Sequence, residues 1–104
     1  EWDSSMYYPE QAGFRCGTCH TFPVFNILTR KKLRLKEKPL IAMDVTWSSY
    51  HQATPAQLQE EIFALLEMVK KFKGEFVLLW HNSNLKLPQW KDFEPVYEEV
   101  LNWY

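Results

Sequence analysis

The order of apolar patterns along the chain predicts an α/β fold in which parallel strands are flanked by helices. Two short, largely apolar runs, residues 39–46 and 76–80, have the composition of strands buried on both faces. Each is followed by a stretch with apolar residues at helical spacing. Strand, helix, strand, helix in that order implies a right-handed β-α-β crossover with parallel strands. Two strands and two helices are thin for an independent domain and read as the last part of a larger barrel. No linker divides the chain, so residues 1–104 are one domain or a piece of one.

Residues 1–26 are rich in aromatics and turn formers and predict irregular loops with one short strand near Phe22 to Phe25. In residues 27–38, Leu33 and Leu35 alternate with Lys32, Arg34 and Lys36, the pattern of a half-buried strand with one charged face. Pro39 to Thr46 predicts a buried strand, and Trp47 to Ala53 a loop. The clearest helix starts at Thr54. Its hydroxyl can N-cap, Pro55 suits the first helical position and Gln57 completes a capping box. Leu58, Ile62, Leu65, Leu66, Val69 and Phe72 form its apolar stripe. Lys70, Lys71 and Lys73 favour the C-terminal end of the helix dipole, and Gly74 is expected to stop it. Phe76 to Trp80 predicts the second buried strand, and His81 to Asn84 a polar loop past it. A last helix is expected over Asp92 to Tyr104, with Phe93, Val96, Tyr97, Val100, Leu101 and Tyr104 on one face and Pro95 in the first turn.

The composition, 46% apolar and 16% aromatic, is that of a globular chain. A formal net charge of -1 gives no whole-chain argument for nucleic acid or an anionic membrane. No apolar run nears the roughly 20 residues that span a bilayer, so no membrane span is expected. The chain begins Glu1-Trp2-Asp3, which predicts a segment of a longer or processed protein.

Several residues carry possible chemistry. Cys16-x-x-Cys19-His20 has the spacing of a c-type haem attachment site. A haem also needs a second axial ligand, and Met43 and Met68 fall in a predicted strand and helix. The same thiols could be a redox pair, half a zinc site, or small packing residues beside a turn at Gly17. Asp44 ends an apolar strand, where a carboxylate must be solvated, paired or metal-bound. It is a catalytic candidate or a loop-fixing Asp. His81 follows the second apolar run and is the candidate general acid or base, unless loop backbone at Asn82 or Asn84 satisfies it. Functional groups of α/β folds gather at such strand ends. Arg15 can face a carboxylate of catalysis or substrate, or be an ordinary surface Arg. Trp47, Tyr50 and Trp80 lie near the strand ends and can serve as core or as platforms for sugar rings. Arg30 to Lys38 is basic, but its interleaved Leu residues and Glu37 read as a solvated strand face, with no nucleic-acid motif.

Taken in order, Asp3-Ser-Ser, Gly13-Phe-Arg-Cys-Gly-Thr-Cys-His20, Phe22-Pro-Val-Phe25, Pro39-Leu-Ile-Ala-Met-Asp44 and Leu78-Leu-Trp-His-Asn82 resemble the C-terminal portion of a polysaccharide deacetylase. The likeness is to a divergent bacterial branch of the NodB-homology family and runs over nearly the whole chain. It implies a distorted (β/α) barrel that removes N- or O-acetyl groups from cell-wall or capsular polysaccharide. In that family a divalent metal, usually zinc, activates water, an Asp is the base and a late His protonates the leaving group. His81 matches the late His, and Asp44 resembles the strand-end acid of the preceding motif. Arg15 has no matched position and is expected near the site, with Trp47 and Trp80 as further substrate contacts.

The family's Thr-Phe-Asp-Asp motif and His-x-x-x-His pair are absent. The resemblance therefore places the metal in a full-length parent, with no metal ligand and no cofactor expected for this chain alone. It implies two partners, an acetylated polysaccharide and the missing N-terminal part of the same barrel, and an isolated chain that is inactive. The compartment stays open between cytoplasm and cell envelope. A non-catalytic carbohydrate-binding module and a c-type haem protein remain as alternatives.

Overall fold

The capping signal at Thr54 marks the start of the helix around which the core is built. A computed structural model describes residues 1–103. Seven regular elements follow one another: β1 (Trp2–Asp3), β2 (Phe22–Asn26), β3 (Lys31–Glu37), β4 (Ala42–Met43), α1 (Pro55–Lys71), β5 (Leu78–Leu79) and α2 (Glu94–Leu101). The architecture is mixed α/β. One sheet has the order β1-β3-β2, with β1 parallel and β2 antiparallel to β3. The other is the parallel pair β4-β5, with Ala42 opposite Leu78 and Met43 opposite Leu79. Helix α1 is the crossover between those two strands, as the pattern of the sequence required.

Thr54 caps α1 as expected. Its hydroxyl accepts from the Gln57 amide and the Gln57 side chain accepts from the Thr54 amide. Leu58, Ile62, Leu66 and Val69 are fully buried, each worth ~1.5–3 kcal/mol when removed from water. The first three pack with Ala42, Trp47, Val96 and Val100, and Val69 packs with Ile41 and Cys19. Leu65 and Phe76 touch both groups and join them into one core. Phe72, the last residue of the expected stripe, lies past the end of α1 and is exposed.

The helix stop differs from expectation. Lys73, with φ +54°, is the left-handed residue, and Gly74 is not. The reason for glycine at 74 is contact. A Cβ there would overlap Cys19 Sγ and come within 2.8 Å of the Cys19 carbonyl oxygen. That carbonyl accepts from the Glu75 amide at 2.8 Å, which holds the cysteine loop against the end of α1.

Both apolar runs make shorter strands than expected. β4 ends at Met43 because the Asp44 carboxylate accepts from the Val45 amide at 2.8 Å, which turns the backbone. The chain then enters a π-helical turn, Thr46–Tyr50, where a loop was expected. β5 pairs only with β4, so Leu79, on the face away from the core, stays 41% exposed rather than buried. β3 lacks a covering helix, and Leu33 is exposed where a half-buried position was expected. The last helix is shorter than the predicted Asp92 to Tyr104. Val96 and Val100 are buried, Leu101 is exposed, and Tyr104 lies outside the described residues. No helix among the described residues is long and apolar enough to cross a membrane.

The helix stop can be checked directly. Gly74→Ala should lower stability by ~1–3 kcal/mol through overpacking against Cys19. Lys73→Gly should raise it by up to about 1 kcal/mol by relieving a left-handed non-glycine residue. Urea unfolding of the two variants gives opposite signs if the left-handed residue is Lys73.

Candidate active site

The site is built where the two parallel strands end. Asp44 is the residue after β4, and His81 lies two residues past β5. The in-register pairing of Met43 with Leu79 brings those ends side by side. Asp44 is fully buried, and a buried carboxylate must have its lone pairs satisfied. Four donors do so. Oδ1 accepts from the Val45 amide at 2.8 Å and from His81 Nδ1 at 2.6 Å. Oδ2 accepts from the His81 amide at 2.9 Å and from Asn84 Nδ2 at 2.7 Å.

This geometry settles the role of each His81 nitrogen. Nδ1 donates to a carboxylate, so the neutral ring carries its proton there and Nε2 has the free lone pair. In the protonated ring, Nε2 holds the transferable proton. The His81 side chain is partly open to solvent while Asp44 is sealed beneath it. A half-exposed imidazole oriented from behind by a buried carboxylate is the arrangement of a general acid or base.

Asn84 was not among the expected site residues, although its backbone was a candidate partner for His81. It sits in the 3-10 turn Asn82–Lys86, is nearly buried, and reaches Asp44 with its side chain. Only the polar run His81 to Asn84 hinted at it. The His81 carbonyl accepts from the Asn84 amide at 2.9 Å, which folds the loop back onto the site.

Asp44 and His81 thus come together, but Arg15, Trp47 and Trp80 do not join them as a binding surface. Arg15 donates to the Tyr7 carbonyl at 2.9 Å and stacks on the Tyr8 ring, 4.7 Å from its centroid. Trp47 is fully buried in the core and donates to Glu61, so it offers no ring face to a sugar. Trp80 is half-buried against Tyr97 and Trp90, with ring centroids 5.0 Å and 5.9 Å away. Its buried indole N–H has no partner among the described residues. Tyr50 is exposed at the end of the π-helical turn. Behind the site, Tyr7 donates to Thr46 Oγ1 at 2.8 Å, and Thr46 donates to the Pro9 carbonyl at 2.8 Å. Burial pushes the Tyr7 phenol above its ordinary value, opposed by the bond to Thr46.

Among the described residues the three histidines are not assembled into a zinc site. His20 Nε2 is held by the Phe72 carbonyl at 3.0 Å, and His51 Nε2 by that of Glu10 at 2.6 Å. His81 Nδ1 is committed to Asp44. Among the described residues no three of His, Cys, Asp and Glu converge on one point. Cys16 and Cys19 are both free thiols. Cys19 is buried against Ile41, Val69 and Gly74, a packing position beside the turn at Gly17. Burial pushes the Cys16 thiol up, with the Glu37 charge adding to the effect and Arg15 opposing it, which disfavours a reactive thiolate. No family model, curated protein or solved structure matches the chain.

The Asp44 contacts predict a tautomer switch. In long-range ¹⁵N–¹H spectra, neutral His81 should carry its proton on Nδ1. In Asp44→Asn the carboxamide nitrogen must turn away from the His81 amide and Asn84, toward Nδ1. Nδ1 then accepts, and the proton moves to Nε2. The same substitution should cost ~1–3 kcal/mol, because the Val45 amide loses its acceptor. An Nε2–H tautomer in the unsubstituted chain would contradict the assignment.

Proposed function

We propose that this chain is the C-terminal portion of a polysaccharide deacetylase-like hydrolase, a distorted (β/α) barrel, in which His81 is the general acid. The Asp44–His81 pair at the ends of adjacent parallel strands carries this reading. Asp44 orients the ring through Nδ1 and Asn84 steadies Asp44. His81 Nε2 gives its proton to the departing amine nitrogen or alkoxide oxygen as the bond to the acetyl carbon breaks. The groups that activate the attacking water belong to the missing part of the barrel, and the family's metal would reside there. The substrate class, an acetylated cell-wall or capsular glycan, follows from the family likeness.

Two further observations support a larger parent. β4-β5 is a two-stranded parallel sheet covered by helices on one face, whereas parallel sheets are normally covered on both. Among the described residues the buried Trp80 N–H has no acceptor, and a buried indole N–H ordinarily has one. Additional barrel elements would cover Leu79 and could supply that acceptor.

A glycan-binding module without catalysis is the second reading, and the exposed rings of Trp2, Tyr8 and Tyr50 favour it. Acetate release from an acetylated chito-oligosaccharide separates the two. The isolated chain should release none. Combined with an upstream portion bearing an Asp-Asp motif and a His-x-x-x-His pair, it should release acetate. His81→Ala should then lower kcat by roughly 100-fold to 10,000-fold, the usual worth of a positioned proton donor. Zinc-dependent acetate release by the isolated chain would refute the proposal. Glycan binding with no activity in the combined protein would leave the binding-module reading.

A further inference from the structure

The β2-β3 hairpin carries a charge that the whole-chain balance hides. Arg30, Lys31, Lys32, Arg34 and Lys36 are five of the 12 Lys and Arg residues, and residues 27–36 contain no carboxylate. All five are exposed, and among the described residues none lies within ion-pairing distance of a carboxylate. The nearest bridged cation in sequence is Lys38, which pairs with Glu75 at 3.1 Å beyond the end of β3. The acidic residues of this sheet gather at the same end, where Asp3 stands opposite Glu37. Charge is therefore separated along the hairpin, with acids at its base and only cations toward its turn.

Alternation along β3 puts Lys32, Arg34 and Lys36 on one face. The register sets Phe25 opposite Lys32 and Pro23 opposite Lys36, so the same face carries an exposed aromatic ring among the cations. β1 covers only the Lys36 and Glu37 end of β3, which leaves the turn end of the hairpin free.

That turn presents two aliphatic side chains to water, Ile27 at 82% and Leu28 at 95% exposure. They are held in a fixed turn. Asn26 Oδ1 accepts from the amides of both Leu28 and Thr29 at 3.0 Å, and Arg30 takes a left-handed conformation with φ +53°. A lone exposed Leu is unremarkable. Two adjacent aliphatics at the apex of a hairpin, collared by five unpaired cations, form a surface with an apolar point and a basic rim.

We infer that the β2-β3 hairpin docks on an anionic lipid surface. Ile27 and Leu28 enter the boundary between headgroups and acyl chains, while Arg30, Lys31, Lys32, Arg34 and Lys36 pair with the headgroups. The contact made by the hairpin itself is a surface one, with two aliphatic side chains at the boundary and cations at the headgroups. Nucleic acid would use the same cations but would leave both aliphatic side chains in water. The apolar apex is what favours lipid. The inference does not depend on the hydrolase reading, because it uses none of the Asp44 and His81 geometry.

Co-sedimentation of the full chain with phosphatidylcholine–phosphatidylserine vesicles, and with phosphatidylcholine vesicles alone, tests it. Binding to the anionic vesicles should be at least roughly tenfold tighter and should weaken as salt rises. Leu28→Asp should weaken it by roughly tenfold or more, since it removes the inserting group and adds a like charge to the lipid. Leu28→Trp should strengthen it, with the anionic-lipid preference and the urea midpoint of the unsubstituted chain retained. K31E/K32E/R34E should abolish it. A single-stranded oligonucleotide serves as the competing polyanion. Equal binding to both vesicle types, no vesicle binding, or vesicle binding unchanged by both Leu28 substitutions would overturn the inference. So would tighter binding to the oligonucleotide that both Leu28 variants retain in full, which would assign the basic rim to nucleic acid.

Discussion

The buried carboxylate of Asp44 is the constraint on which the two-stranded sheet and the site both depend. An ionised carboxylate removed from water is costly unless donors replace its hydration. Asp44 has four: the Val45 amide, the His81 amide, the His81 ring and the Asn84 side chain. The first ends β4 and starts the turn that buries Trp47. The second and third tie the end of β5 to the end of β4. The fourth fastens the loop that follows. One side chain thus closes the open end of a β-α-β unit whose strands are only two residues each. The same bonds that stabilise this end also fix the tautomer and direction of His81, so local stability and site geometry share one cause.

Much of this was legible in the chain. The Thr54, Pro55 and Gln57 trio marks a helix start by local hydrogen bonding alone, and the structure shows both bonds of the box. The stripe from Leu58 to Val69 is visible because helical periodicity is a local property. Asp44 and His81 stood out because each is a polar residue just past an apolar run. That they pair is a fact of register, set by Ala42 opposite Leu78, and register between distant segments leaves no local mark. The contribution of Asn84 is hidden for the same reason. Gly74 looked like a helix stop because glycine commonly takes the left-handed position. Lys73 takes it instead, and the demand for glycine comes from Cys19, a residue distant in sequence. Trp47 shows the limit of composition: proximity to a strand end does not distinguish a ring lining a site from one filling the core.

The chain has more apolar surface than its own elements cover. The outward face of β4-β5, the exposed Leu79 and the Trp80 N–H, unpaired among the described residues, are all near the proposed site. They are features a further covering layer would resolve. Ile27 and Leu28 are different. They stand at the end of a hairpin, ringed by cations, where a covering layer would have to bury five charges to reach them. The first surface suits intramolecular completion and the second suits an anionic interface. Their distinct chemistry is why one chain can carry both.

The most direct test of the central claim is a double-mutant cycle on Asp44 and His81. Unfolding free energies would be measured by urea for the unsubstituted chain, Asp44→Ala, His81→Ala and the double variant. If the two side chains act as one hydrogen-bonded unit, the losses will be non-additive by ~0.5–3 kcal/mol, with the double variant less destabilised than the sum of the singles. Additivity within about 0.3 kcal/mol would mean that the two residues do not interact, and the site built on them would not stand.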